Sequence, residues 1–549
     1  MGMWALLIIG IMLIVYGAYT LVIRPSAPPQ GGWRGAVMGL GLRPPTRPSA
    51  PVAAPTALSA SKATMLIVAM SVLGVVCWVV LYGWYSLPGH YDAHDFAFDK
   101  IPDHFDSAIL RVTTLLFLVI SLCYALTYWL LQRLPSIPRG VKQAIVLGVA
   151  GVVIVNLLLY PVGALDVYNY IIELKLTFFY HQNPYTTTFQ NYTADPAAGF
   201  AFFLNVQLFY GPVWLLLSRL PISITGFNDT QHVLLGLKTL NIVLLAVTAV
   251  AIYKYQEDDK RGWIGVFLFL ANPMILFESV GGAHNDIMMT MFIVLAVLAF
   301  KGRSLLAGPL LMLSVLVKFF SASLAPLLLL GMVLHRWRPR WIIASALISL
   351  GLLVAAILPF WDNGKMVSGL SAGTTVAQSL NSASLFSLTR EYLRQGSITP
   401  QGEGLVQDIF LAIFAASILA IMWMVWRRGR PLESGLIDTF LLFAVLVSLL
   451  TPWYLIPALA LIALKRNKAE LGYLLIASTL GLVFNTLSVW AWFNSGWIPF
   501  QVHLFQGLLL AAPVLGLFLV ELTLYVRRAT RQSSRVARLG DHDAAIETA

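Results

Sequence analysis

An all-α fold that crosses a membrane many times is the class this sequence predicts, and three observations predict it. Of 549 residues, 58% are hydrophobic and only 11% charged; a soluble chain of this size carries about a quarter charged residues. Mean hydropathy is +0.78, and apolar runs of spanning or near-spanning length recur from one end to the other. The alternating segments of about ten residues that a β-barrel needs do not dominate anywhere.

The apolar runs fall at 3–23, 64–87, 109–131, 143–162, 232–253, 263–277, 287–300, 304–317, 322–334, 341–360, 406–426, 436–450, 453–464, 470–489 and 504–526. Several are too short to cross a core of about 30 Å untilted, so the expected count is about 13–15 transmembrane helices. The short pair 304–317 and 322–334 reads as a broken or re-entrant element, tolerated where loose backbone is buried in protein or lines a cavity. The first run carries no basic residue ahead of it and is long enough to span, which predicts a retained helix and not a cleaved signal. Residues 24–62 are rich in Pro, Ala and Ser, as a flexible linker is.

Charge sets an orientation. With the N-terminus outside, 27 of the 36 Lys and Arg residues fall on segments predicted to be cytoplasmic, including Arg133, Arg139, Lys142, Lys301, Arg303, Arg336, Arg338, Arg340 and the five arginines after Val526. That is the positive-inside pattern, and it places the C-terminus in the cytoplasm of a plasma membrane. The net charge of +11 is dispersed over short loops, which argues against a nucleic-acid partner. Cys77 and Cys123 both lie in apolar runs and give neither a disulfide framework nor a zinc spacing.

The acids mirror this. Asp92, Asp95, Asp166, Glu173, Asp195, Asp229, Glu278, Asp286, Glu391 and Glu403 fall at or beyond the outer ends of helices. Exclusion from the cytoplasmic side accounts for many of them, but not for Asp286, which opens an apolar helix. Two long outward segments follow from the same topology. Residues 163–231 are aromatic throughout, with Tyr168, Tyr170, Tyr185, Tyr210 and Trp214, and suit an interface-lying helix or a sugar platform. Residues 361–405 are rich in Ser, Thr and Gly.

Within these segments Asp166 begins Asp-Val-Tyr-Asn-Tyr-Ile-Ile-Glu, and on a helix Asp166, Tyr170, Glu173 and Thr177 share a face. A carboxylate there can take a proton from an acceptor hydroxyl; the plain alternative is a helix cap. Asn183-Pro-Tyr185 and Tyr210-Gly-Pro-Val-Trp214 are turn signals with an aromatic beside each. Between two apolar runs stands Glu278, followed by Gly281-Gly282-Ala-His284-Asn285-Asp286, more polar groups than capping requires. Lys318, between two short apolar runs, must snorkel, pair or bind an anion at membrane depth, and a lipid phosphate is the natural anion. Lys238 has the same ambiguity. Pro452-Trp453-Tyr454 marks an outer turn that suits an aromatic belt. His90, Asp92, His94, Asp95 and His104 form a weak metal-site pattern best read as a solvated loop, and no paired His spacing supports a metal elsewhere.

Taken in order, Asp166-Val-Tyr-Asn-Tyr, Asn183-Pro-Tyr185, Tyr210-Gly-Pro-Val-Trp214, Asn272-Pro, Glu278, His284-Asn-Asp286, Val317-Lys318 and Pro452-Trp-Tyr454 resemble the GT-C superfamily of polyprenyl-phosphate-sugar-dependent glycosyltransferases, and within it bacterial α-mannosyltransferases that extend lipid-linked mannans. The resemblance implies a helical bundle with catalysis on a long outer loop and divides the chain into residues 1–62, a helix with its cytoplasmic linker; 63–142, accessory helices; 143–526, a GT-C-like catalytic domain; and 527–549, a basic tail. It implies an inverting transfer, with mannose as the sugar by family likeness alone, to a hydroxyl of a lipid-linked glycan at the outer face. Asp166 would be the base, Lys318 with His284 would bind the donor phosphate, and Glu278, Asn285, Asp286, Tyr168, Tyr170, Glu173, Tyr185, Tyr210, Trp214 and Trp453 would contact substrate. No cofactor is required for a phosphate leaving group; a divalent metal is the less favoured option. Relatives commonly carry two adjacent acids in the first loop, whereas Val167 and Tyr168 follow Asp166 here, which leaves Asp92 or Asp95 as the alternative base. A lipid-linked sugar flippase or transporter is the competing class, but it would place ionisable groups at the midplane in matching halves. An arabinofuranosyl- or glucosyltransferase stays open within the enzyme class.

Overall fold

The computed structural model describes residues 60–90, 107–162, 166–201, 203–371, 382–447, 450–465, 468–495 and 500–547. The run 3–23, its linker and Asp92, His94, Asp95 and His104 lie outside the described residues.

Every apolar run after the first overlaps a helix: α1 (Ala60–Tyr85), α2 (Ser107–Arg133), α3 (Arg139–Leu158), α4 (Asp166–Phe178), α5 (Pro212–Thr225), α6 (Thr230–Tyr255), α7 (Asp259–Leu270), α8 (Pro273–Gly281), α9 (Asp286–Lys301), α10 (Ala307–Val315), α11 (Ala325–Leu334), α12 (Pro339–Ile357), α13 (Leu385–Gln395), α14 (Pro400–Arg428), α15 (Leu432–Leu446), α16 (Ile456–Leu464), α17 (Lys468–Ser495) and α18 (Phe500–Glu547). Among the described residues there is no strand, only an isolated bridge between Ser86 and Leu159. The protein is an all-α, polytopic membrane protein. Among the described residues seven helices (α1, α2, α3, α6, α12, α14 and α18) are long and apolar enough to cross a membrane, with an eighth span if the bent pair α7 and α8 counts as one. Among the described residues most of the other runs fall on shorter apolar helices, and the run 470–489 falls on the 28-residue α17. α18 continues from the last apolar run into the basic tail as far as Glu547.

Burial sorts these helices. Two thirds of α6 (67%) is buried against 17% of α12, and all nine residues of α16 are buried. α9 packs against α6, α10 and α16, which makes these the centre of the bundle. α12 and α14 turn Leu347, Leu350, Val354, Leu411 and Leu419 outward, as lipid-facing helices do. Lipid tails are as apolar as leucine, so close packing of small residues drives association: α3 sets Gly148 against Ser71 and Gly151 against Val75 of α1.

Two breaks at membrane depth position the site. Asn272-Pro273 bends α7 from α8 by 52°. Pro273 occupies the first helical position, where its missing N–H costs nothing, and Asn272 Oδ1 accepts from the amides of Met274 and Ile275 (3.1 Å each). The second break is Leu316–Lys318, between α10 and the 3₁₀ turn Phe319–Leu324 that leads into α11. The expected broken pair is thus two short helices, α10 and α11, joined by residues 316–318 and the 3₁₀ turn Phe319–Leu324.

Candidate active site

Four segments far apart in sequence meet at these breaks. α4 supplies Asp166 in its first turn. The last turn of α8, Phe277–Gly281, is π-helical and carries Glu278; such bulges concentrate at functional sites. After it Ala283 takes a left-handed φ of 56°, a strained conformation for a residue with a Cβ, and delivers His284, Asn285 and Asp286 to the start of α9. The 316–318 break supplies Lys318, and the 3₁₀ turn Pro452–Leu455 supplies Trp453 and Tyr454.

Their arrangement is specific. His284 is fully buried between two carboxylates, with Nε2 3.4 Å from Glu278 Oε2 and Nδ1 4.0 Å from Asp166 Oδ2, and its ring stacks on Trp453 at 3.9 Å and 17°. Lys318 Nζ donates to Asp286 Oδ2 at 2.7 Å and lies over the rings of Tyr454 (4.9 Å) and Tyr210 (5.2 Å). Among the described residues Asp286 Oδ1 has no hydrogen-bond partner, and neither does Nδ2 or Oδ1 of Asn285, a residue only 2% exposed. Each such orphan costs about 1–3 kcal/mol. Asn285 precedes α9 without making a side-chain cap bond, so capping does not explain it.

Asp166 keeps a third of its side-chain surface accessible (34%). Burial of the surrounding cleft pushes its carboxyl up to about 6; the Lys318 charge pulls against that rise and the Asp286 charge adds to it. Glu173, two turns along α4, is pushed well above the ordinary range by burial and then by the Asp166 charge, and its Oε2 has no hydrogen-bond partner. Burial thus raises both carboxyls on this face of α4, Asp166 to about 6 and Glu173 well above the ordinary range.

The expected aromatics stand behind this group. Tyr170 packs edge-on against Tyr210 and Trp214, both at 5.3 Å. Tyr185 is fully buried and its hydroxyl donates to Tyr210 O (2.9 Å), while Tyr168 stacks on Phe200 (5.3 Å, 26°) beside Tyr160. The Gly-Pro turn after Tyr210 docks on the backbone just ahead of Lys318: Gly211 N donates to Val317 O (2.9 Å) and Val213 N to Leu316 O (3.0 Å). A Cβ at position 211 would lie 2.0 Å from Leu316 O, so glycine is required there by space alone.

Sequence reasoning passed over Asn241 and did not resolve Lys238. Asn241 Nδ2 donates to Ser279 O (2.8 Å) and His284 O (2.9 Å). Lys238, fully buried, donates to Asn156 O (3.1 Å) and also to Leu159 O; it holds helix-end carbonyls and takes no part in the Lys318 group. The available signal was two polar residues three apart in an otherwise apolar helix. Tyr454 likewise emerges as the second ring over Lys318. Among the described residues no three His, Cys, Asp or Glu side chains form a metal-holding group.

Residues 71–336 match a family model described as alpha-(1->6)-mannopyranosyltransferase, N-terminal domain, a stretch that includes Asp166, Glu278, His284–Asp286 and Lys318 but not Trp453. The chain is similar to alpha-(1->6)-mannopyranosyltransferase A of Corynebacterium glutamicum, at 23% identity over 46% of this chain and 56% of that protein. It is similar also to the protein of the same name from Mycobacterium tuberculosis, at 24% identity over 45% and 50%. The chain spans about half the length of the curated relatives it matches. Over residues 71–336 this membrane protein is thus similar to alpha-(1->6)-mannopyranosyltransferases.

Proposed function

We propose that this chain transfers mannose from a polyprenyl-phosphate donor to a hydroxyl of a lipid-linked glycan, with inversion, at the outer face of the plasma membrane. The names of its relatives support the sugar and the α-1,6 linkage. The distribution of Lys and Arg supports a cytoplasmic C-terminus and an outward site. The observation that carries the reading is the joining of a carboxylate poised near neutrality, Asp166, to a buried lysine, Lys318, across His284 and Asp286.

In this reading Asp166 takes the proton of the acceptor hydroxyl as its oxygen attacks the anomeric carbon. The bond from that carbon to the phosphate oxygen breaks, and polyprenyl phosphate leaves with the electron pair. Lys318 neutralises the growing charge on that phosphate; a preorganised charge of this kind is worth about 3–4 kcal/mol. Tyr210 and Tyr454 keep the ammonium out of water, where its field is weaker. His284, with Nδ1 4.0 Å from Asp166 Oδ2, helps to orient the base as well as facing the phosphate. Asn285 and Asp286 Oδ1 hold sugar hydroxyls, and protonated Glu173 donates to the acceptor. Tyr168, Tyr170, Tyr185, Trp214 and Trp453 shape the cleft by packing.

The test is to supply the purified protein with polyprenyl-phosphate sugars and a lipid-linked mannoside acceptor. Expected is transfer of mannose to give a new α-linkage whose anomeric configuration is opposite to the donor's. Donor binding without transfer, together with donor translocation in sealed vesicles, would replace this reading with transport.

A further inference from the structure

We propose that Lys238 and Asn241 are positioning residues for this reaction, and that one turn of α6 fixes the separation of Asp166 from His284. The inference rests on the proposed transfer only for its kinetic readout. The two side chains stand three apart on α6, hence on one face, and α6 is the most buried of the spans, so it is a rigid reference for both.

Lys238 grips one half of the site. Its Nζ donates to Asn156 O and Leu159 O, the closing carbonyls of α3, from which seven residues lead to Asp166. Among the described residues it has no carboxylate partner. A lysine at membrane depth costs about 2.5–3.5 kcal/mol on insertion scales, while helix-end carbonyls are satisfied elsewhere by tightening the last turn. Asn241 grips the other half. Both of its amide hydrogens are used, on Ser279 O and His284 O, which bracket the end of the π-helical turn and the left-handed Ala283. That backbone is away from its own minimum and persists only if something outside it holds it. The two halves also touch directly, since a Cβ on Gly281 would lie 3.0 Å from Asn156 Oδ1. The 4.0 Å between Asp166 Oδ2 and His284 Nδ1 is thereby set from a single helix.

The experiment uses the full chain with Asn241→Ala, Asn241→Ser, Lys238→Met and Lys238→Arg. A misplacement of about 1 Å costs on the order of 100-fold in rate. Expected for Asn241→Ala and Lys238→Met is a fall in kcat of about 10- to 100-fold per folded molecule, with the donor KM little changed. The acid limb of the rate should move away from that of the wild type, and Lys238→Arg and Asn241→Ser should recover part of the loss. A cryo-EM map of Asn241→Ala should show the Asp166–His284 separation lengthened. Wild-type kcat and an unchanged acid limb in folded variants would overturn the clamp while leaving the transfer reading intact. If the wild type transfers no sugar, the transfer reading fails by itself, and an unchanged separation in the map then overturns the clamp independently.

Discussion

Lys175–Asp195 and Lys318–Asp286 are both buried lysine–aspartate pairs, at 2.5 and 2.7 Å, and they differ in what the carboxylate does next. Asp195 is fully used: Oδ1 also accepts from Ala197 N (2.8 Å) and Oδ2 from the Tyr180 hydroxyl (2.8 Å). It caps the 3₁₀ turn Pro196–Phe200 and fastens it to α4. Asp286 leaves Oδ1 unpartnered beside the two unpartnered atoms of Asn285. A buried pair with both carboxylate oxygens engaged serves the fold. One with polar capacity left over, in a chain that otherwise buries apolar groups, is held ready for something outside the protein.

The sharpest way to break this comparison is to remove each pair. Lys318→Met with Asp286→Leu replaces a buried pair by apolar groups, a change often neutral or favourable for stability. We expect transfer to fall by about 100- to 1,000-fold with Tm held or raised. Lys175→Met strands a buried carboxylate, which costs about 3–5 kcal/mol; Tm should drop while kcat per folded molecule stays within a few-fold of the wild type. The reverse pattern, in calorimetry and single-turnover rates, would exchange the roles of the two pairs.

Acidity separates the same two regions. Asp166 must be ionised to act, so kcat/KM should fall about tenfold per pH unit below about 6 and level off above it. Because its folded pKa is raised, the protonated form is the one the fold favours, and this contribution to stability is lost as pH rises from the ordinary carboxyl range through 6. Asp195 runs the other way. Burial would raise it, but hydrogen bonds from Lys175, Ala197 N and Tyr180 outweigh burial and hold it low, so its contribution is present above the ordinary carboxyl range and lost on acidification through the lowered value. Unfolding and rate measured across pH should show these opposed trends, best resolved as differences from Asp166→Asn and Asp195→Asn.

Smaller effects refine the site. Asn285→Leu removes two orphaned atoms, so Tm should hold or rise, while KM for one substrate should increase about tenfold, the worth of a lost hydrogen bond. A lower Tm with unchanged kinetics would make Asn285 structural. Tyr454→Leu removes one of two rings over Lys318, worth about 0.5–2 kcal/mol. It should slow transfer by roughly two- to thirtyfold without altering the acid limb.

Much of this was legible in the sequence because a membrane makes polar residues conspicuous. Glu278, His284–Asp286 and Lys318 interrupt apolar runs, and the structure brings them together; Asp166 and Glu173 share the predicted face of a helix. Less visible was the division among acids at the outer ends. Asp195, Asp229 and Glu403 are taken up by a lysine, a helix cap and an arginine respectively, contacts that depend on tertiary neighbours. The Gly-Pro after Tyr210 read as a turn, yet its reason is the backbone of Leu316, about a hundred residues away in sequence. The π-helical turn and left-handed Ala283 have no local sequence signature, since both are imposed from α6.

The most direct measurement is transfer and thermal unfolding of Asp166→Asn side by side with the wild type. The account predicts a 100- to 10,000-fold loss of transfer, roughly the worth of a general base, with donor binding retained and Tm equal or higher. Full transfer by Asp166→Asn would contradict it, and so would a loss of transfer explained by a matching loss of fold.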